Sequence, residues 1–180
     1  MRCFVAIALP DDIVDALETL QAELRVGTLM DPATFHITLA FLDSQSMPVI
    51  EDLHEHLADI QMPDFPISIR GVDVFGGYAP RLIWAGVEPN SALSKLRETV
   101  RRAAFDAGID MPRQKFRPHV TLARVRGQLR GDEPEKLAQF LTRFSTLELP
   151  EFHANRFTLF RSTLNPDGAI HDPLAEYPLQ

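Results

Sequence analysis

At 180 residues, with 45% hydrophobic and 24% charged side chains, the chain can build one substantial domain or two small lobes sharing a core, but not two unrelated large domains. A formal net charge of −7 excludes a protein that coats nucleic acid through a broad basic surface, while leaving room for a local phosphate site. The lone cysteine, Cys3, has no partner for an internal disulfide and sits in an apolar run, so it reads as a buried core thiol in a cytoplasmic protein.

In chain order, RCFVAIA at 2–8 reads as a strand, since its short apolar run stops at Pro10-Asp11-Asp12 with no small-residue cleavage site. No run approaches the ~20 apolar residues needed to cross a bilayer. Pro10, Asp11 and Asp12 start a helix in which Ile13, Leu17, Leu20 and Leu24 recur at three- and four-residue spacing. ATFHITLAFL returns to strand chemistry, a helix covers roughly 47–60, FPISIRGVDVF from 65 is a further strand, and GGYAP at 76–80 is a turn.

The pattern then repeats: a strand at 81–88, a helix at 91–108 closed by Gly108, a strand at 116–125, a helix around 134–145 and a strand over about 152–162. Each half reads strand, helix, strand with His-x-Thr, helix, strand. The expectation is one bilobal domain over 1–180, an internal duplication of roughly 1–77 and 80–165. The turn at Asn165-Pro166-Asp167-Gly168 returns the chain for a last short strand within 166–180. Two such lobes form a pseudo-twofold pair with equivalent strands facing across a cleft.

The motif HITL begins at His36 and HVTL at His119. Strand alternation puts His36, Thr38 and Ala40 on one face and Phe35, Ile37, Leu39 and Phe41 on the other. The second copy places His119 and Thr121 together, opposite Val120 and Leu122. An imidazole titrates near ~6.5 and can give or take a proton at neutral pH, while a threonine hydroxyl can donate to an anionic oxygen. Two such pairs around one point suit acid–base chemistry at a phosphodiester, with His36 and His119 as catalytic groups and Thr38 and Thr121 as phosphate-binding groups. Arg124 is a further phosphate-binding candidate, although strict alternation turns it away from His119 unless a bulge redirects it.

The other candidates read as structural. Threonines accompany the histidines and Cys3 has no partner cysteine, so no metal and no other cofactor is expected. His54 and His56 lie two apart on a helix and do not share a face. His153 and His171 are isolated, and Arg101 and Arg102 belong to a solvated helix face. Trp84, Phe41, Phe116 and Phe160 read as core packing, with stacking on a base as the lesser reading.

With RCFVAIALP, FHITLAFLD, PRLIWAGV, FRPHVTLARV and FTLFRSTLNPDGAIHDPLAEYPL in place, the chain resembles the two-histidine (2H) phosphoesterases, and among them the RNA 2′,3′-cyclic phosphodiesterases also called 2′-5′ RNA ligases. The resemblance implies an α+β fold of two pseudo-symmetric lobes, each with an antiparallel sheet lining a central cleft and helices outside. It further implies metal-independent opening of RNA ends bearing a 2′,3′-cyclic phosphate to 2′-phosphomonoesters. In that reading His36 is the proton donor, His119 the base and Thr38 and Thr121 the phosphate holders, in a monomer with no membrane partner; some relatives also run the joining reaction. Two departures stand out: Asp43 where such proteins often have Gly, and His171 where Tyr is expected. Alternatives are a phosphodiesterase for a small cyclic nucleotide, and a non-catalytic nucleotide or RNA-end binding module.

Overall fold

In the computed structural model, which describes residues 1–180, the expected strands and helices form with shifted ends, together with a two-residue strand at 28–29 that the sequence pattern does not predict. They are β1 (Arg2–Ala8), α1 (Asp11–Gln21), β2 (Thr28–Leu29), β3 (His36–Ser44), α2 (Met47–Ala58), β4 (Phe65–Ile67), β5 (Ile69–Phe75), β6 (Leu82–Val87), α3 (Ser91–Asp106), β7 (His119–Arg124), α4 (Glu133–Arg143), β8 (Phe152–Ala154), β9 (Arg156–Asn165) and β10 (Gly168–Pro178). In α1 the first-turn Asp11 and Asp12 suit the positive end of the helix, and Ile13, Leu17 and Leu20 form its buried stripe. The Asn90 side chain caps α3 by accepting from the Leu93 N–H at 3.0 Å, and Gly108 ends it with a left-handed φ of 82°. No helix is long and apolar enough to cross a membrane.

Two four-stranded antiparallel sheets carry the fold, in the orders β10-β9-β1-β3 and β2-β7-β6-β5, with a two-stranded ribbon of β4 and β8 between the halves. The stretch from residue 65, expected as a single strand, breaks at Ser68; the stretch from 152 breaks in the same way at Asn155. The short front pieces pair with each other, and Pro66, which has no N–H to give, is confined to this ribbon. The longer pieces cross over. β5 joins β6, and β9 joins β1, so each sheet takes its third strand from the other half of the sequence. The final strand, expected to be short, is the 11-residue β10, and it tolerates Pro173 and Pro178 because it lies at a sheet edge.

Both histidine-bearing strands are irregular at the same step. Along β3, Ala6 faces Thr38 and Val5 faces Ala40, so Leu39 has no partner; along β7, Trp84 faces Thr121 and Ile83 faces Ala123, so Leu122 has none. Each is a two-against-one bulge that buries two successive residues, Leu39 with Ala40 and Leu122 with Ala123. The alternation expected for Ala40, Phe41 and Arg124 is therefore reversed. Ala40 enters the core, while Phe41 and Arg124 turn to the face of their histidines. Phe41, expected in the core, is 67% exposed. β3 has a second irregularity at Leu42, after which Asp43 takes a φ of 53°, the only positive φ outside glycine. Asp43 thus adopts the conformation a glycine would supply, one that a short polar side chain tolerates.

The bulge in β7 is anchored from outside the sheet. Gln21, at the buried end of α1, donates through Nε2 to the Leu122 carbonyl at 2.8 Å and the Met30 carbonyl at 2.7 Å. Gly27, at φ 79°, lets β2 lie so close that a Cβ there would meet the Arg124 carbonyl oxygen at 2.7 Å. We expect Gln21→Leu, which removes both hydrogen bonds at roughly constant volume, to cost about 1–3 kcal/mol. A lower urea midpoint at unchanged slope is the readout.

Candidate active site

His36 opens β3 and His119 opens β7, and these two strands, one from each sheet, lie against each other. Each ring is fixed in the same way. The Nδ1–H of His36 donates to the Thr34 carbonyl at 2.7 Å, and the Nδ1–H of His119 donates to the Arg117 carbonyl at 2.7 Å. A carbonyl accepts only from a protonated nitrogen, so the neutral rings carry their hydrogen on Nδ1 and present Nε2 as the reactive atom. At His36 that Nε2 lies 2.9 Å from the Thr38 hydroxyl. Thr121 shares the face of His119, two residues along the strand.

Aromatic rings wall the histidines from behind. Phe4 stands 4.8 Å from His36, and stacks on Phe160 at 5.1 Å. Phe75 meets His119 edge-on at 4.9 Å, and Trp84 lies 5.7 Å from it. Phe4, Trp84 and Phe160 thus line the site, whereas Phe116 packs against the core beneath the Arg97 guanidinium, 4.7 Å from its centroid.

Burial against these rings penalises a charged imidazole and is the main cause of depressed basicity at both positions. His36 is lowered to about 4, the hydrogen bond to Thr34 opposing the shift and the charges of His171, His119 and Arg124 adding to it. His119 is lowered by burial against the pull of its Arg117 hydrogen bond. Because β3 packs against β7 and the bulge turns Arg124 to the face of His119, the strand pair carries all three to one cleft. The sequence-predicted groups His36, Thr38, His119, Thr121 and Arg124 are therefore brought together.

His171, read as structural from the sequence, belongs to the same cleft. Its ring is 5.3 Å from His36 and 4.7 Å from Phe4. Its signals were its place in the tail and its departure from the Tyr that the resemblance leads one to expect, and the length of β10 delivers it. His54 and His153 are elsewhere, the first accepting or donating to the Tyr177 hydroxyl at 2.8 Å and the second 3.6 Å from Asp64. Arg101 and Arg102 stay on α3, the first donating to the Met111 and Pro112 carbonyls and the second pairing with Asp106. No three His, Cys, Asp or Glu side chains converge as metal ligands.

Neutral in the unfolded chain above ~6.5, His36 takes up a proton there as the pH falls, but in the folded protein only near about 4. Folding stability attributable to His36 is thus intact above ~6.5 and lost progressively down to about 4, roughly 3 kcal/mol in all. We expect His36→Asn to abolish that part of the acid loss. Urea titrations of both proteins across this window measure the difference.

Comparison with known proteins gives a consistent family and fold. The family model of the 2′-5′ RNA ligase superfamily matches residues 4–165. The RNA 2′,3′-cyclic phosphodiesterase of Thermotoga maritima is 31% identical over 183 residues, covering 98% of this chain and 94% of that protein. The protein of the same name from Aeropyrum pernix is 32% identical over 149 residues, covering 82% and 83%. Among solved structures, E. coli LigT complexed with 3′-AMP superposes with a TM-score of 0.80 at 23% identity, over 99% of this chain and 97% of that one, and shares the two-lobed fold.

Proposed function

The chain belongs to the 2′-5′ RNA ligase superfamily, and from that premise we propose that it is an RNA 2′,3′-cyclic phosphodiesterase using His36 and His119 as an acid–base pair. The observation that carries the reading is the matched tethering of the two imidazoles, each with Nδ1–H on a backbone carbonyl and Nε2 left for chemistry. Relatives at 26–32% identity bearing that enzyme name support it.

In the proposed reaction a water loses a proton to the neutral Nε2 of His119 as its oxygen attacks phosphorus. The bond from phosphorus to the 3′ oxygen breaks, and the Nε2–H of a protonated His36 gives its proton to that oxygen. The products are a 2′-phosphomonoester and a free 3′ hydroxyl. Thr38, Thr121 and Arg124 hold the non-bridging oxygens as charge builds on them. A 5′ hydroxyl of a second RNA in place of water gives the 2′-5′ joining reaction.

The free site disfavours protonated His36, so the acid must be charged in the presence of substrate. An anionic phosphodiester does this, because an opposite charge at hydrogen-bond distance raises the imidazole pKa. A small cyclic nucleotide as substrate is distinguished by size, since an RNA enzyme gains rate from added 5′ nucleotides.

We expect a short RNA ending in a 2′,3′-cyclic phosphate to give only the 2′-phosphate by phosphorus NMR. His36→Ala and His119→Ala should each lose about 10²–10⁴-fold in rate. The profile of kcat/KM should be bell-shaped with its maximum between about 4 and ~6.5, since both histidines are lowered in the free protein. The kcat profile should lie at higher pH. A flat kcat/KM profile with chemistry rate-limiting overturns the paired-histidine mechanism, and saturable binding without turnover selects the binding-module alternative.

A further inference from the structure

β10 has no counterpart in the second sheet, where β5 ends the order at the equivalent edge. It brings one titratable ring to the cleft without a pseudo-symmetric mate. Pairing of His171 with Ser162, and of Pro173 with Phe160, puts His171 on the same sheet face as Phe160. That face carries Phe4 and His36 as well, and the His171 ring meets Phe4 at 4.7 Å, His36 at 5.3 Å and Phe160 at 6.5 Å.

The tethers that fix the other two cleft histidines are missing here. His36 and His119 each spend Nδ1 on a carbonyl, whereas the half-buried His171 makes no hydrogen bond through either nitrogen. Packing alone does not account for a histidine at a place where a phenyl ring would fill the same space without polar atoms. Nor do the three cleft histidines form a metal-ligand group.

We infer that His171 is a third substrate-contacting histidine, hydrogen-bonding the phosphate held beside His36. The inference rests on the cyclic phosphodiesterase reading of the cleft. Oxygens bound at His36 lie within reach of a ring 5.3 Å away, and His171 acts as a binding group that neither attacks nor protonates the leaving oxygen. The charged and titratable groups around it are His36 on β3, Arg124 on β7, Asp172 on its own strand and Arg161, which pairs with Asp172 at 2.8 Å on the reverse face. Burial and Arg124 lower its basicity and Asp172 raises it, so the free ring is mostly neutral at neutral pH. A bound phosphate favours the protonated ring, and binding at acid pH therefore gains a charge-assisted contact.

The test measures binding of adenosine 2′-phosphate to the wild type, His171→Phe and His171→Gln at about pH 5.5 and about pH 8. Comparing variants at one pH cancels the titration of the ligand's own phosphate. Loss of a charge-assisted contact should weaken His171→Phe about tenfold at the lower pH and about twofold at the higher. His171→Gln, which keeps a donor without the charge, should match the wild type at the higher pH and fall behind at the lower. In the wild type, the ligand should also move the NMR titration of the His171 ring upward, a response that a packing role would not produce. Equal affinities for the wild type and His171→Phe at both pH values, an unmoved His171 titration, or no binding to the wild type overturns the inference. A wild type that shows the binding pattern yet does not hydrolyse cyclic phosphate ends leaves this inference standing and removes the enzymatic reading.

Discussion

The two-against-one step after each threonine governs what the cleft contains. In a regular strand, the side chain five places beyond a histidine points away from it. Absorbing one extra residue at Leu39 and at Leu122 turns that side chain back. A motif of alternating histidine and threonine thereby gains a third projecting group, Phe41 on one strand and Arg124 on the other. The cost is a residue without a partner on the neighbouring strand, and in β7 the carbonyl of that residue accepts from both the Met30 N–H at 2.9 Å and the Gln21 side chain of α1 at 2.8 Å. A buried glutamine on a helix, far from any substrate, thus helps decide which way an arginine faces.

The same geometry sets the electrostatics. Rings at the back of each histidine keep the imidazoles poorly hydrated, and Arg124 adds positive charge nearby. Such a cleft is neutral in its histidines but positive in its field, a state that an incoming anion relieves. Phosphate binding and proton uptake are therefore one linked event. The chain as a whole, with its net charge of −7, repels nucleic acid in general, which leaves attraction to local sites such as this one.

Much of this was legible in the residues. Helical spacing of Ile13, Leu17 and Leu20 places α1, and two copies of His-x-Thr-Leu point to the cleft. Period-two reasoning failed at Ala40, Phe41 and Arg124 because a bulge depends on which strand pairs alongside, and pairing is not written in a single strand's pattern. His171 was missed because a lone histidine in a turn-rich tail carries no periodic signal; only the register of β10 against β9 brings it to Phe4. The exchange of third strands was invisible for a similar reason. Local sequence says that residues 69–75 and 156–165 are strands, and says nothing about which sheet receives them.

That exchange shapes how the molecule must be assembled during synthesis. β1 is made well before one of its two neighbours, β9, which lies roughly 150 residues further along the chain. Until that segment is available, one edge of β1 offers unpaired backbone groups and an apolar face, the form of surface that invites pairing with other chains. Long-range antiparallel pairing also makes for slow folding, because loop closure must precede the contacts that reward it. The segment from β1 to β3 is consequently a dependent fragment, with its sheet closed by strands made much later.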